Sequence, residues 1–300
     1  MRDRLSRLCD RTLFVTAVDA GSLSLVFLHS WAGFPLEPPT EVADPTGRLM
    51  RPRFGTLEWG ERSSGVLTRT ERFHFLRNMA FLATREVTDV ARAKIGLLKP
   101  VNLELSDLAP PDTRMVKDAE EYAGATHTQD LLSHGYRTYY FGAMLAAYRK
   151  LKYDKEAHFA AALLHDIGLT ESRIAPLKQC CFAVSGGRQA LDFLLSKDHP
   201  AAKAQVVGDA ISAHLNLHVP VRKYGEVASL VAKGAVCDLF GFEKRKLPER
   251  FKKDLLRTYP AGDIRTALLS DEELATGTRL EIGRKLFGGL PERIWIHDIK

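Results

Sequence analysis

Cysteine is scarce in this sequence: four of the 300 residues are cysteines, at positions 9, 180, 181 and 237. Two of them are adjacent and no pair has the Cys-x-x-Cys spacing, which argues against a disulfide framework and against a structural zinc knuckle. This usage is typical of a reducing compartment, so we expect a cytoplasmic protein.

Long apolar runs are lacking too. The run Leu13–Val18 follows several arginines and superficially imitates a secretion signal, but charged residues flank it and no small-residue cleavage pattern follows. A second run, Leu23–Phe34, contains a histidine and a glycine and is too short to span a bilayer. We interpret both runs as folded structure and expect no membrane partner.

The positive charges are not clustered in a way that would predict nucleic-acid binding. The 43 lysines and arginines are spread among 37 acidic residues, so the net charge of +6 describes an ordinary solvated surface. The sequence also lacks a recognisable nucleic-acid-binding module, an internal repeat and a low-complexity segment. With 45% hydrophobic residues, it can bury the core of one large domain or of one domain with an extension.

Helical periodicity dominates the remaining pattern, and strand signals are sparse, so the predicted fold class is mainly α. Residues 1–106 are predicted to form a mixed N-terminal extension that contains a long helix near residues 70–97. Residues 107–242 are predicted to be a helical bundle, and residues 243–300 a C-terminal helical extension packed on it. The long helix is a candidate for packing over the bundle or for forming a homo-oligomer interface.

Apolar residues at helical spacing predict six helices in the central unit and two in the tail. Their predicted bounds are Thr113–Thr126, Gln129–Leu151, Lys155–Asp166, Gly186–Leu195, Ala202–His218, Tyr224–Leu239, Pro248–Tyr259 and Ser270–Phe287.

One of these helices ends in a histidine followed by an aspartate. The segment Ala162–Thr170 reads ALLHDIGLT, and Gly168 follows the pair. This arrangement places two good metal ligands, His165 and Asp166, at a helix terminus where both side chains can reach one point. Each also has a structural explanation, because a buried histidine can be satisfied by a hydrogen bond and an aspartate can cap a helix.

Two further candidate ligands, His134 and Asp238, lie in an earlier and a later predicted helix. Asp238 stands in the apolar segment AVCDLFG, where a buried carboxylate is costly unless a metal ion compensates its charge. Together with His165 and Asp166, these residues predict one divalent metal centre. Imidazole and carboxylate ligands suit Zn, Fe or Mn better than Ca or Mg, and we expect Zn, with Fe and Mn as alternatives.

The order and contexts of these residues resemble the HD superfamily of metal-dependent hydrolases, and within it the cyanamide hydratase-like proteins. Five ordered segments carry the resemblance, over roughly residues 107–242: His134–Tyr139, Ala162–Thr170, Phe182–Gly186 with Ala190, Ala210–His214 and Gly234–Asp238. The resemblance implies that His134, His165, Asp166 and Asp238 bind the metal and leave a position for water. Two departures from the family pattern, Gly135 for serine and Ala183 for glutamate, bear on the substrate more than on the metal.

Other residues are candidates for the pocket. His214 is expected to act beside the metal, and His218, one predicted turn later, would line the pocket or bind a second ion. Arg137 either fixes an anionic group or forms a structural ion pair, and Thr170 is a candidate for supporting the site. Lys233 points either toward the pocket or to solvent.

The resemblance implies addition of hydroxide to a carbon–nitrogen multiple bond of a small molecule, with His214 supplying the proton. Three alternatives stay open at this point. They are a phosphohydrolase of a nucleotide or phosphomonoester, a diiron oxygenase with further histidine ligands, and a non-catalytic metal-containing sensor or binding protein.

Overall fold

The computed structural model describes residues 52–170, 180–263, 274–287 and 294–299, together with the backbone of two short strands. These strands, β1 (Phe14–Asp19) and β2 (Ser22–Phe27), pair antiparallel with Phe14 opposite Phe27. They occupy part of the two apolar runs near the N-terminus. The prolines at positions 35, 38 and 39 lie outside the described residues, and so does Glu171, which follows the candidate Thr170.

Helices account for most of the described chain, which confirms the prediction of a mainly α fold. In chain order they are α1 (Leu57–Ser63), α2 (Arg69–Lys94), α3 (Arg114–Thr126), α4 (Gln129–Arg149), α5 (Lys155–Leu164), α6 (Phe182–Ser196), α7 (Ala201–Ala213), α8 (Val221–Phe240), α9 (Glu249–Thr258) and α10 (Arg279–Phe287). Short 3₁₀ turns occur at Ser106–Leu108, Ile167–Leu169, His214–Asn216, Lys244–Lys246 and Trp295–Asp298.

Local sequence explains where several helices begin. Thr68 accepts a hydrogen bond from the backbone N–H of Glu71, whose side chain in turn accepts one from the backbone of Thr68, so α2 starts with a complete capping box. Thr128 caps α4 and Asp154 caps α5 in the same manner, each by accepting from a backbone N–H in the first turn. These caps fix where α4, which carries His134, and α5, which ends at His165, begin.

Helix α7 ends five residues earlier than predicted. It stops at Ala213, a 3₁₀ turn follows, and Leu217 adopts a φ of 62° with a ψ of −54°. The N–H of His218 then donates to the carbonyl of Asn216 at 2.7 Å, which closes a tight γ-turn. His218 therefore does not share a helical face with His214, and that part of the prediction is wrong.

Helix α2 turns one stripe of its surface toward the core. Phe75, Met79 and Ala83 are buried, while Phe73 and Val87 on other faces are exposed. The buried stripe continues through acidic residues because Glu86 pairs with Arg245 and Asp89 with Lys246. The basic segment 244–246 is therefore an anchor for α2.

Helices α4, α5, α7 and α8 surround the core. Residues before and after the predicted bundle contribute to the same core. Leu57 and Phe75 on the N-terminal side and Leu255 on the C-terminal side belong to the same buried cluster. Helices α4 and α8 pack tightly at Gly234, where an added Cβ would lie 2.0 Å from the carbonyl oxygen of Thr138. This contact sets the spacing between the helices that carry His134 and Asp238.

Among the described residues, no helix combines the length and the apolar character that a membrane span requires.

Candidate metal centre

His134, His165 and Asp166 converge on one point at the centre of the bundle. His134 projects from the second turn of α4, His165 is the C-cap of α5, and Asp166 follows it outside the helix. The Nε2 atoms of the two histidines are 3.1 Å apart, and Oδ2 of Asp166 lies 3.5 Å from Nε2 of His134 and 3.3 Å from Nε2 of His165. All three side chains are almost completely buried.

A 3₁₀ turn follows Asp166, and Gly168 lets it pack closely against the start of α6. A Cβ at position 168 would lie 2.2 Å from the carbonyl oxygen of Phe182, at the start of α6. The apolar residues of α5, all buried from Ala157 to Leu164, hold the helix that ends at His165. The ALLHDIGLT motif is thus a buried helix, two polar residues and a 3₁₀ turn whose glycine leaves no room for a side chain beside α6.

Hydrogen bonds on the far edge of each ring determine which nitrogen faces the centre. A carbonyl oxygen can only accept, so Nδ1 of His165, 2.7 Å from the carbonyl of Ala162, carries the proton. Nδ1 of His134 also carries the proton, because it donates a hydrogen bond to Oδ2 of Asp238 at 2.6 Å. When both rings are neutral, their Nε2 atoms therefore present lone pairs to the same point.

Two facing lone pairs at 3.1 Å repel each other unless a proton or a cation lies between them. Oδ2 of Asp166 is buried beside them and has no hydrogen-bond partner, which is costly for a carboxylate oxygen. Burial alone would raise the pKa of Asp166, but the neighbouring His165 and His134 lower it below its ordinary value. The cluster is therefore an ionised carboxylate and two imidazole nitrogens that lack a shared partner.

A divalent cation fits this donor set. With bonds of ~2.0–2.1 Å to nitrogen and oxygen, two ligands of one tetrahedral ion lie about 3.3–3.4 Å apart, and octahedral neighbours about 3.0 Å. The three separations, 3.1, 3.3 and 3.5 Å, lie within or about 0.1 Å above that range. Within the described part of the chain, these three residues form the one group whose ligand atoms lie close enough for a metal ion.

Asp238 occupies a different position from the one predicted, since its carboxylate faces Nδ1 of His134 and not the Nε2 atoms. Arg137 holds it by two hydrogen bonds, from Nε to Oδ1 at 2.8 Å and from Nη2 to Oδ2 at 2.9 Å. Burial alone would raise the pKa of Asp238, but Arg137 and the hydrogen bond to His134 bring it down to about 2. Asp238 is thus an ionised, fully buried acceptor that orients His134.

Arg137 belongs to the same unit and does not line the cavity. Besides Asp238, it donates from Nη1 to the carbonyl of Pro260 at 2.6 Å, just after α9. Both side chains of the pair are completely buried. Of the two roles that the sequence left open for Arg137, the structure favours the structural ion pair.

His214 lies at the edge of the cluster. Its Nε2 is 3.9 Å from Oδ1 of Asp166, and its ring is perpendicular to that of His165 at 5.0 Å. Nδ1 donates to the carbonyl of Ile211 at 2.6 Å, so Nε2 is the free nitrogen. Burial, with a further contribution from His165, lowers the pKa of His214 to about 3, and the ring is neutral at pH 7.

The remaining candidates lie elsewhere. Thr170 donates its hydroxyl to the carbonyl of Ile167 and so closes its own turn. Nζ of Lys233 donates to Ser229 on the same helix, and burial lowers its pKa to about 8. His218 packs against Phe81, with ring centroids 4.3 Å apart, in a separate cavity beyond the γ-turn. The structure thus brings none of the three to the cluster.

A cavity of about 110 Å³ opens from the cluster, and most of its lining is apolar. Its walls come from α2, α6, α8, α10 and the segment after α7: Phe75, His134, His165, Asp166, Phe182, His214, Leu215, Leu217, Ala235, Val236, Leu239, Phe240, Arg279, Leu280, Gly283 and Arg284.

Two arginines of this lining, Arg279 and Arg284, were not found by sequence reasoning. Arg279 is 1% exposed, donates to Oδ1 of Asn216 at 2.8 Å and lies over the ring of Trp59 at 5.0 Å. Its Nε has no hydrogen-bond partner, and no carboxylate among the described residues is within ion-pair distance. An isolated β-bridge between Val66 and Thr278 positions the neighbouring Arg279 at the cavity, and no local sequence motif predicts that pairing.

His127 is a further residue that the sequence analysis did not single out. It follows α3, its Nε2 is buried without a hydrogen-bond partner, and the charges of Asp166, His165 and His134 act on it. Burial is the main cause that lowers its pKa, to about 4.

Comparison with known proteins assigns no family: no protein-family model matches the chain, and no curated protein matches it either. The likeness to the HD superfamily therefore stays a prediction from the sequence motifs.

Proposed function

We propose that this protein is a metal-dependent enzyme of the HD type that adds water to a small molecule, as a hydratase or hydrolase. One observation carries the proposal: the lone pairs of His134 and His165 and the unpartnered Oδ2 of Asp166 meet at ligand–ligand distances suited to one cation. Zn fits the two imidazoles and one carboxylate best, and Fe or Mn would also suit them.

In this proposal, His134, His165 and Asp166 hold the ion, and Asp238 with Arg137 orients His134 from behind. A carboxylate that accepts a hydrogen bond from the outer nitrogen of a ligating histidine fixes the tautomer of that histidine and increases its basicity. Asp238 would therefore strengthen metal binding without touching the ion. When bound, a divalent cation of this kind lowers the pKa of a bound water toward neutrality and polarises an electrophile.

His214 is the residue proposed to move the proton. Its Nδ1 donates to the carbonyl of Ile211, and its free Nε2 faces Asp166 across 3.9 Å. From this position it can take a proton from the attacking water and pass it to the atom of the substrate that gains negative charge. The apolar walls formed by residues such as Phe182 and Leu239 exclude bulk water around that transfer.

Hydration of a carbon–nitrogen multiple bond is the reaction we favour, since it is what the sequence resemblance implies and needs only water, one ion and one proton shuttle. Phosphoester hydrolysis is the second candidate. Arg279 and Arg284 line the same cavity and would attract a phosphate group.

The first test is metal content. Full-length protein purified without chelator is analysed for Zn, Fe and Mn, beside His165→Ala, Asp166→Asn and the control His74→Ala, whose histidine lines a different cavity. We expect about one ion per chain in the parent and control, and almost none in the other two. Two irons per chain would instead favour an oxygenase.

The second test is turnover by the metal-loaded protein. Cyanamide and small nitriles are compared with phosphomonoesters and nucleotides, and His214→Gln is measured beside the parent. Hydration that requires both the metal and His214 supports the proposal, and phosphate release favours the second candidate. Turnover that persists in metal-free His165→Ala would refute both.

A further inference from the structure

A second cavity, of about 310 Å³, lies on the other side of the γ-turn at Leu217. It is formed by one face of α2, by the segment that precedes α1 and by the start of α8. Its lining residues are Phe54, His74, Arg77, Asn78, Phe81, His218, Pro220, Lys223 and Tyr224. None of them is acidic, and none binds the proposed metal.

Two cations, Arg77 and Lys223, line this cavity, and a third, Arg53, lies beside it against Tyr224. The described residues place no carboxylate within 4.0 Å of Arg53, Arg77 or Lys223. The lining of this cavity thus carries Arg77 and Lys223 with no acidic residue among its members.

Two of the cations are held in place. Arg53 donates from its guanidinium to the carbonyl of Lys223 and lies 5.8 Å from the centre of the Tyr224 ring. Nζ of Lys223 lies 5.3 Å from the same ring. One aromatic ring thus stabilises two like charges beside each other. Tyr224 is itself fixed, because its hydroxyl donates to the carbonyl of Phe54 at 2.8 Å.

The cations repel one another. Partial burial, followed by the charges of Arg53 and Arg77, lowers the pKa of Lys223 below its ordinary value. A charge cluster of this kind is stabilised when an anion with more than one negative charge enters it. Guanidinium groups also match the geometry of phosphate oxygens, which they bind with paired hydrogen bonds.

We propose that this cavity binds a small phosphate-bearing molecule through Arg77 and Lys223, with the charge of Arg53 beside them. Its volume is at the lower end of small-molecule sites, so one phosphate group and a modest organic part fit, and a long polymer does not. The site is separate from the proposed metal centre and does not depend on the enzyme activity.

The site shares a wall with the metal cavity. Asn78 donates to the carbonyl of Asn216 at 3.1 Å, and the side chain of Asn216 accepts from Arg279, which lines the other cavity. A ligand in one cavity therefore contacts the segment that also shapes the second.

The test uses metal-free, full-length protein and inorganic pyrophosphate as the probe, measured by titration calorimetry at constant ionic strength. Inorganic phosphate and acetate are the comparison anions. The key variant is the double substitution Arg77→Gln and Lys223→Gln, both at exposed positions. The double substitution Arg250→Gln and Arg257→Gln is the matched control, since those side chains are 76% and 78% exposed.

We expect pyrophosphate to bind at least tenfold more tightly than acetate, and the key variant to lose at least tenfold in affinity. The affinity of the control for pyrophosphate should stay within twofold of the parent. The same is expected of Asp166→Asn, and this result would exclude the metal cluster as the site where pyrophosphate binds. Equal binding by parent and key variant would overturn the proposal. So would tight binding of single-stranded RNA with none of pyrophosphate, which would indicate a nucleic-acid surface instead.

Discussion

Nδ1 of His134 lies 2.6 Å from Oδ2 of Asp238, on the edge of the ring opposite the nitrogen that faces His165. This relationship makes Asp238 the acceptor that fixes the tautomer of His134. Residue type alone does not distinguish that role from direct metal binding, because an aspartate can do either. The distinction has measurable consequences.

Removal of Asp238 is expected to weaken metal binding without abolishing it. In Asp238→Asn, His134 keeps a neutral acceptor, so we predict a loss in Zn affinity of roughly 10–100-fold. Asp166→Asn removes a ligand and should reduce Zn binding below detection. Competition with a chromophoric chelator measures both, with the exposed Asp192→Asn as the control. Complete loss in Asp238→Asn would return this residue to the ligand set.

Arg137 should matter for stability more than for the reaction. Arg137→Met leaves the ionised, fully buried Asp238 without its cation, which costs about 3–5 kcal/mol of unfolding free energy. The double variant Arg137→Met with Asp238→Leu removes both charges and should be less destabilised than the single one. Urea unfolding of the metal-free proteins gives the comparison. A single variant as stable as the parent would show that the pair does not stabilise the fold.

Gly234 links helix packing to the metal centre. A methyl group there would meet the backbone of Thr138 at 2.0 Å, so Gly234→Ala should force α8 away from α4 and separate Asp238 from His134. We predict a stability loss of about 1–3 kcal/mol together with weaker Zn binding. Gly124→Ala is the matched control, because no atom outside the local chain lies within 4 Å of that position.

The control substitution should change stability in the opposite direction. Gly124 lies inside α3, where replacement of glycine by alanine stabilises a helix by up to about 1 kcal/mol. Thermal unfolding and Zn titration of both variants separate the close approach of two helices from helix propensity. Equal behaviour of the two variants would contradict the packing argument.

The mainly α fold and the convergence of His134, His165 and Asp166 could be predicted, since helical periodicity and an unusual polar pair at a helix end are local signals. Which nitrogen of His134 Asp238 contacts could not be predicted, because that depends on the rotation of α8 against α4. His218 was misplaced because the apolar pattern of α7 continues past the γ-turn at Leu217. Arg279 was missed because a distant bridge, and no local motif, brings it to the cavity.

Arg279 distinguishes the two candidate reactions. If the substrate carries a phosphate, Arg279→Met should raise KM for phosphomonoesters by tenfold or more, since a charge-assisted hydrogen bond is lost. If the substrate is a neutral nitrile, KM should change by less than threefold. Metal content checks that the cluster is intact, and Arg279→Lys, which keeps the charge, should recover part of any loss. An unchanged KM for a phosphomonoester would exclude the anion-binding role.

His158 lies outside the candidate metal centre, and its burial should make the free energy of unfolding depend on pH. It is completely buried, neither ring nitrogen has a hydrogen-bond partner, and burial lowers its pKa to about 3. In the unfolded chain its pKa is about 6.5, so the unfolded state binds the extra proton first as pH falls. Stability should therefore be lost from about pH 6.5 down to about pH 3, by up to about 1.4 kcal/mol per pH unit.

The variant His158→Gln lacks this titration, whereas the other buried histidines titrate equally in both proteins. Urea unfolding of metal-free parent and variant at pH 7, 6 and 5 should therefore give a parent stability that falls more steeply with acid than that of the variant. The difference in slope isolates the contribution of His158. Parallel curves would mean that His158 gains its proton equally in the folded and unfolded states, which its burial among Tyr139 and Tyr153 makes unfavourable.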